Sequence, residues 1–210
     1  MTIDGVESLG LRARKKLATR QALSAAAVRL ALEQGLDNLR VEAIAAAAGV
    51  SPRTYNNYFS SREEAICAFA VQRAQRVGAA LRARPTDEPL AESIVGAMVE
   101  QYLAGGEPDK AGIRLIISAP ALRGEFLKTI AAIERPLAEA IAERTGTDPD
   151  RDLFPKVLAA AVSSAARAAT EHWLRPDTTA PFATVLRDAL AWLAPAARPH
   201  PCAPPKETPC

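Results

Sequence analysis

Apolar residues in this chain recur at steps of three and four, the period of a helix with one buried face. Leu23, Ala26, Ala27, Leu30 and Gln34 form the first stripe, and Gly35 closes it. A helix from about Ala13 to Gln34 is predicted there. Residues 1–11 before it carry little pattern and are expected to be mobile. Val41, Ile44 and Ala45 make a second, shorter stripe. Ile66, Phe69, Ala70, Arg73, Val77 and Leu81 extend a longer one that Pro85 stops. Leu90, Ile94, Ala97, Met98 and Gln101 mark a fifth helix, ended by Gly105 and Gly106. Pro108 opens a short sixth helix to about Ser118. Pro120 opens a long seventh, with Leu122, Phe126, Ile130, Ile133, Leu137 and Ile141 at helical spacing. Pro136 falls inside that stripe and is expected to kink it. An eighth helix is predicted over residues 153–174 and a ninth over 182–193, with Pro176 and Pro181 between them. There are no strand signals, and the chain reads as all-α with about nine helices.

The second stripe is followed by a tight turn and a new start. Gly49 ends the Ala46–Ala48 run, where a backbone of positive φ costs glycine little. Ser51 offers a capping hydroxyl to the next helix, and Pro52 sits at its first position, where a missing N–H does no harm. Helix, glycine turn and capped second helix make the sequence form of a helix-turn-helix. The second of these helices carries Arg53, Thr54, Asn56, Asn57 and Tyr58. Arg and Asn suit paired contacts to base edges, while Thr and Tyr reach phosphate or the thymine methyl. An ordinary helical hairpin fits the same spacing.

Charge adds to the DNA-binding reading. Residues 1–62 hold nine Lys and Arg against five acids, a net +4, while the remainder is −2. A basic first third is the footprint of a polyanion partner. Arg12, Arg14, Lys15, Lys16 and Arg20 supply much of it, at the start of the first helix.

Several spaced features then agree with one family. They are the basic start Arg14–Lys16, the Leu23–Leu30 stripe with Glu33 and Gly35, the run IAAAAGVS at Ile44–Ser51, the pair Tyr58–Phe59, and Ser61–Glu63. From about Arg14 to Ile66 the chain resembles the DNA-binding domain of the tetracycline-repressor (TetR) family of bacterial regulators. It departs at Arg40, where members usually have a capping Thr, at Asn56, where many have Tyr, and at Ala31, where an aromatic is common. The resemblance implies an N-terminal three-helix helix-turn-helix domain over residues 1–68 that binds a double-stranded operator. Lys16, Arg40, Ser51, Pro52, Arg53, Thr54, Asn56, Asn57, Tyr58 and Arg62 are the residues expected at that interface. Arg62 in particular corresponds to a family position that reaches phosphate. The resemblance also implies a C-terminal helical ligand-sensing and dimerisation domain over residues 69–194. The last two helices of each chain would form a four-helix bundle in a homodimer. A cytoplasmic repressor released by a small molecule follows, with a ligand-independent or architectural DNA-binding protein as the alternative.

The remaining chemistry is sparse. Aromatics are 5% of the residues and no run of about 18 apolar residues exists, so no membrane partner is expected. No signal peptide is expected at the start MTIDGVESLG. The cysteines, at 67, 202 and 210, lack metal-like spacing, and neither metal nor cofactor is expected. His172 and His200 are the only histidines, and Ser163 and Ser164 lie in an Ala-rich run with no partner for a nucleophile. An enzyme is not the expected class. Residues 195–210, with six prolines, are expected to be a disordered tail. Ile94, Met98, Tyr102, Phe126 and Ile130, on the fifth and seventh helices, are the candidates for a mainly apolar effector pocket.

Overall fold

The computed structural model describes residues 4–197, without the side chains of residues 4–10, 112, 115 and 116. Nine α-helices lie among these residues. They are α1 (Asp4–Gln34), α2 (Val41–Ala47), α3 (Pro52–Asn56), α4 (Arg62–Ala83), α5 (Leu90–Tyr102), α6 (Lys110–Ser118), α7 (Pro120–Thr145), α8 (Leu153–Trp173) and α9 (Phe182–Ala191). A 3-10 turn, Ala194–Ala197, follows. The described residues contain no strand.

Two features differ from the sequence reading. The helix expected from Ala13 begins nine residues earlier, at Asp4. No apolar stripe marks that stretch, so periodicity could not reveal it. It continues a backbone ladder already nucleated downstream, which is the inexpensive way to lengthen a helix. The proline-rich segment begins with a turn rather than as irregular chain. The amides of Ala196 and Ala197 both donate to the carbonyl of Leu193, and Ala197 is buried. Pro195 occupies a position whose missing N–H that turn does not need. Residues 198–210, with His200, Cys202 and Cys210, lie outside the described residues.

Two apolar clusters hold the chain together. The first gathers Leu23, Ala27 and Ala31 of α1, Leu39, Ile44 of α2, Tyr55 of α3, Phe59, and Ala65 and Ala68 of α4, and it also takes in Leu122 of α7. The second gathers Val77 and Leu81 of α4 with Ile94 and Met98, Leu137 and Ile141, Leu158 and Val162, Trp173, and Phe182 and Leu186. Two helices, α4 and α7, therefore belong to both: the first two turns of α4 seat the first cluster and its last two turns the second, while α7 gives Leu122 to the first and Leu137 and Ile141 to the second.

The most extensive helix pair is α4 with α7. The two run in the same direction: Cys67 lies beside Leu122, Gly78 beside Pro136, and Arg82 forms ion pairs with Glu139 and Glu143. At Gly78 the backbones nearly touch. A Cβ there would stand 2.6 Å from the carbonyl oxygen of Pro136, so only glycine permits this approach. α7 passes Pro136 as one helix.

The end of α4 is fastened by one side chain. The Arg144 guanidinium donates to the carbonyls of Arg84 (3.1 Å), Pro85 (2.9 Å) and Glu88 (3.0 Å), and to Ser93 Oγ (3.0 Å). These carbonyls belong to the connection between α4 and α5, whose irregular backbone needs donors from elsewhere, and an arginine from α7 supplies them. α6 makes a second link. It packs on α1, while Lys110 Nζ donates to Thr178 O at 2.7 Å and Arg114 donates to Leu174 O, both in the connection between α8 and α9.

Candidate nucleic-acid interface

The helix-turn-helix is built as its residues dictate. Gly49 takes φ +69°, which lets α2 stop and the chain reverse. Ser51 caps α3: its Oγ accepts from the Thr54 amide at 3.1 Å and lies 2.9 Å from Thr54 Oγ1. Arg40 holds the equivalent place before α2 but makes no side-chain cap, so α2 begins without the bond a Thr would supply. Tyr55 is the inward anchor of α3. It is fully buried, packs against Phe59 with ring centroids 5.8 Å apart, and donates its hydroxyl to Ser61 O at 2.7 Å. Burial, reinforced by Glu64 and Glu63, pushes its phenol up to about 12, so the donor stays protonated.

With Tyr55 facing in, the other positions of α3 face out. Pro52, Arg53, Asn56 and Asn57 are exposed, and Thr54 and Tyr58 are half-buried. Arg53 and Asn57 stand one turn apart on the outward side. Arg40 and Lys16 are exposed as well. The expected interface residues are thus on the surface, apart from those that the structure engages elsewhere.

Two arginines are so engaged. Arg62 Nη1 donates to Leu39 O at 2.8 Å and its Nε to Glu63 at 2.9 Å, which ties the start of α4 to the segment before α2. Arg20, read from sequence as one of a basic cluster, donates to Tyr58 O at 2.9 Å and lies 4.4 Å over the Phe59 ring. Both hold the frame of the motif. Neither link spans fewer than 23 residues of chain, so no local signal could have shown it. α4 opens with its own cap: Ser61 Oγ accepts from the Glu64 amide at 3.0 Å, and the Glu64 carboxylate accepts from the Ser60 amide at 2.8 Å.

Comparison with known proteins agrees with this geometry. Residues 23–66 match the family described as bacterial regulatory proteins, tetR family, and residues 88–198 match the MftR C-terminal domain. The transcriptional regulator TcmR of Streptomyces glaucescens is 35% identical over 179 residues, covering 80% of this chain and 79% of its own. This chain belongs to the TetR family. TetR-family proteins are transcriptional regulators, a non-enzymatic class. Two solved structures share the fold. A putative TetR-family regulator from Rhodococcus sp. is 21% identical with a TM-score of 0.55, covering 86% of this chain and 99% of that one. The fatty acid degradation regulator FadR of Bacillus halodurans is 17% identical with a TM-score of 0.53, covering 84% and 94%.

In this TetR-family chain the five expected pocket residues fall in separate places. Phe126 and Ile130 line a small cleft of about 60 Å³ between α7 and α8, with Ser163, Ser164 and Arg167. Ile94 lines a larger cleft of about 420 Å³ between α5, α8 and α9. Met98 is packed in the second apolar cluster, and Tyr102 lies under the Arg73 guanidinium at 3.9 Å. The reason is topological: α5 packs on α4 and α9, while α7 packs on α4 and α8. Among the described residues no helix is long and apolar enough to cross a membrane, and no group of three metal-binding side chains occurs.

Proposed function

We propose that this regulator is a cytoplasmic homodimeric repressor that binds a twofold-symmetric operator and leaves it when a mainly apolar small molecule binds. The observation that carries the DNA reading is α3 itself. Tyr55 locks its inner side, Ser51 caps its start, and Arg53, Asn56 and Asn57 are left outward. Arg53 and Asn57 read base edges, and Lys16, Arg40 and Tyr58 meet phosphate. Residues up to about Phe69 form the DNA-binding unit and residues 69–194 the sensing and dimerisation unit, with α4 common to both. Two such units reach both half-sites when their α3 helices stand about 34–36 Å apart.

Support for the dimer comes from α8 and α9. Ala161, Ser164, Ala165 and Ala168 are left half-buried or exposed in the single chain, and small side chains there allow close approach of another helix. Trp192, at the end of α9, is 86% exposed, an unusual place for the largest apolar side chain. A ligand acts by binding one spacing of the two units better than the other.

The test is selection from a random pool of DNA duplexes with the purified protein. A palindrome with half-sites about one helical turn apart is expected, and its affinity should fall in the presence of lipophilic compounds. Enrichment of no common sequence would reject the regulator reading. A palindrome whose affinity no compound changes would mean a ligand-independent DNA-binding protein.

A further inference from the structure

The cleft between α5, α8 and α9 is open to solvent on one side, is walled mainly by apolar residues, and has room for a small molecule. Its volume, about 420 Å³, lies in the range of roughly 300–1,000 Å³ typical of such sites. Ile94, Val95, Leu158, Val162, Leu190 and Leu193 supply its apolar surface. The α8 residues among them, Leu158 and Val162, are buried positions, distinct from the half-buried Ala161 and the exposed Ser164 and Ala168 proposed for the dimer. Charge appears only at one rim, from Arg84, Glu88 and Glu92. Arg84 and Glu88 are paired, Nε to Oε2 at 2.5 Å and Nη2 to Oε1 at 2.6 Å, so they cancel. Gly96 makes room for this pair: the Arg84 guanidinium lies where a side chain on Gly96 would be. Glu92, in the first turn of α5, is exposed and has no ion-pair partner among the described residues. Among the charged residues that line the cleft it is the one left without a partner; the Arg144 guanidinium lies behind the rim, on Glu88 O and Ser93 Oγ.

We infer that this cleft binds lipophilic amines, with the hydrocarbon part on the α5–α8–α9 walls and the ammonium at Glu92. An apolar trough favours any hydrocarbon. The unpaired carboxylate selects an ammonium head and disfavours a carboxylate one. The inference rests on the effector-responsive reading above and gives that effector a chemistry and a place. The place has a consequence. Arg84 and Glu88 form the joint at the end of α4, which Arg144 fastens, and the start of α4 is seated in the DNA-binding core. A molecule pressed against that rim bears on the helix that carries the DNA-binding unit.

The experiment uses the full chain with decylamine, decanol and decanoate, each below its micelle concentration. Binding is followed by titration and by thermal melting. Decylamine is expected to bind one per chain and to bind several-fold tighter than decanoate, with decanol between them. Glu92→Lys, on an exposed position, is expected to keep the fold and reverse the order of amine and acid. Ala194→Trp, on the exposed rim, is expected to weaken all three alike by filling the cleft. Equal binding of the three heads with no response to Glu92→Lys, or no binding at all, would overturn the proposal. The two readings fail separately. A protein that selects an operator but ignores decylamine refutes the cleft. One that binds decylamine but selects no operator refutes the regulator.

Discussion

At the scale of single residues, the interface divides between side chains that face DNA and side chains that hold the frame. Arg53 and Asn57 are of the first kind. Arg53→Ala and Asn57→Ala should each lower specific operator affinity by about 1–3 kcal/mol with helicity unchanged. Fluorescence anisotropy beside circular dichroism measures this, and two variants that bind as the parent does would remove these residues from base reading. Lys16 and Arg62 separate in a different way. Lys16 is exposed, so Lys16→Gln should weaken specific and non-specific binding alike and shallow the salt slope by about one. Arg62 holds Leu39 O at 2.8 Å. Arg62→Gln should therefore lower the melting temperature as well as DNA affinity, because a partly buried carbonyl loses its donor. A melting temperature equal to that of the parent would show that the tie to Leu39 carries no stability.

At the scale of elements, α4 and its contacts govern the molecule. Gly78 of α4 lies tight against the Pro136 carbonyl of α7. Gly78→Ala puts a methyl where 2.6 Å separates the two, so α4 and α7 must part along their most extensive contact. A loss of about 1–3 kcal/mol is expected, read as an earlier denaturant midpoint. An unchanged midpoint would mean that α7 shifts freely there. The joint after α4 depends on pH. Hydrogen bonds from Arg84, then from Ser93, hold the Glu88 carboxyl at about 2, below its ordinary 4.5. A carboxyl whose folded value is depressed stabilises the fold at pH above 4.5, and that contribution fades as pH falls toward 2. Melting temperature against pH should fall through this window more steeply for the parent than for Glu88→Gln. Parallel curves would show that the joint contributes nothing to acid stability.

At the scale of the whole molecule, the predicted dimer is the test of how two α3 helices are spaced. Ala165→Arg puts a long charged side chain on the small-residue face of α8. Sedimentation should then show monomers or destabilised chains, with weak operator binding. A stable dimer of unchanged affinity would place the interface elsewhere on the chain. The molecule otherwise reads as two apolar clusters joined by α4 and α7 and braced by α6, which touches α1 and is tied to the connection between α8 and α9. Under the proposed function, movement at the C-terminal end would reach the DNA-binding end through α4, α7 and α6.

Much of this was legible in the amino-acid sequence, for a physical reason. The stops and starts of helices are set locally, by Gly35, Gly49, Ser51, Pro52 and Pro120 acting within a turn of their own positions. Periodic apolar stripes then told which faces are buried, so the nine helices and the outward face of α3 could be read in advance. The pairing of helices is set by distant residues, and there the sequence was silent. Phe126 and Ile94 share the same spacing signal, yet beyond α4, which both helices touch, α7 packs on α8 and α5 on α9, and the two residues line different clefts. Arg20 and Arg62 read as charges for phosphate, but carbonyls 38 and 23 residues away claim them. Glu92 is the carboxylate left unpaired at the rim because Arg84 folds back onto Glu88. Helix identity is a local property of the chain, whereas the occupancy of a donor, a cleft or a charge is decided by whatever the fold brings beside it.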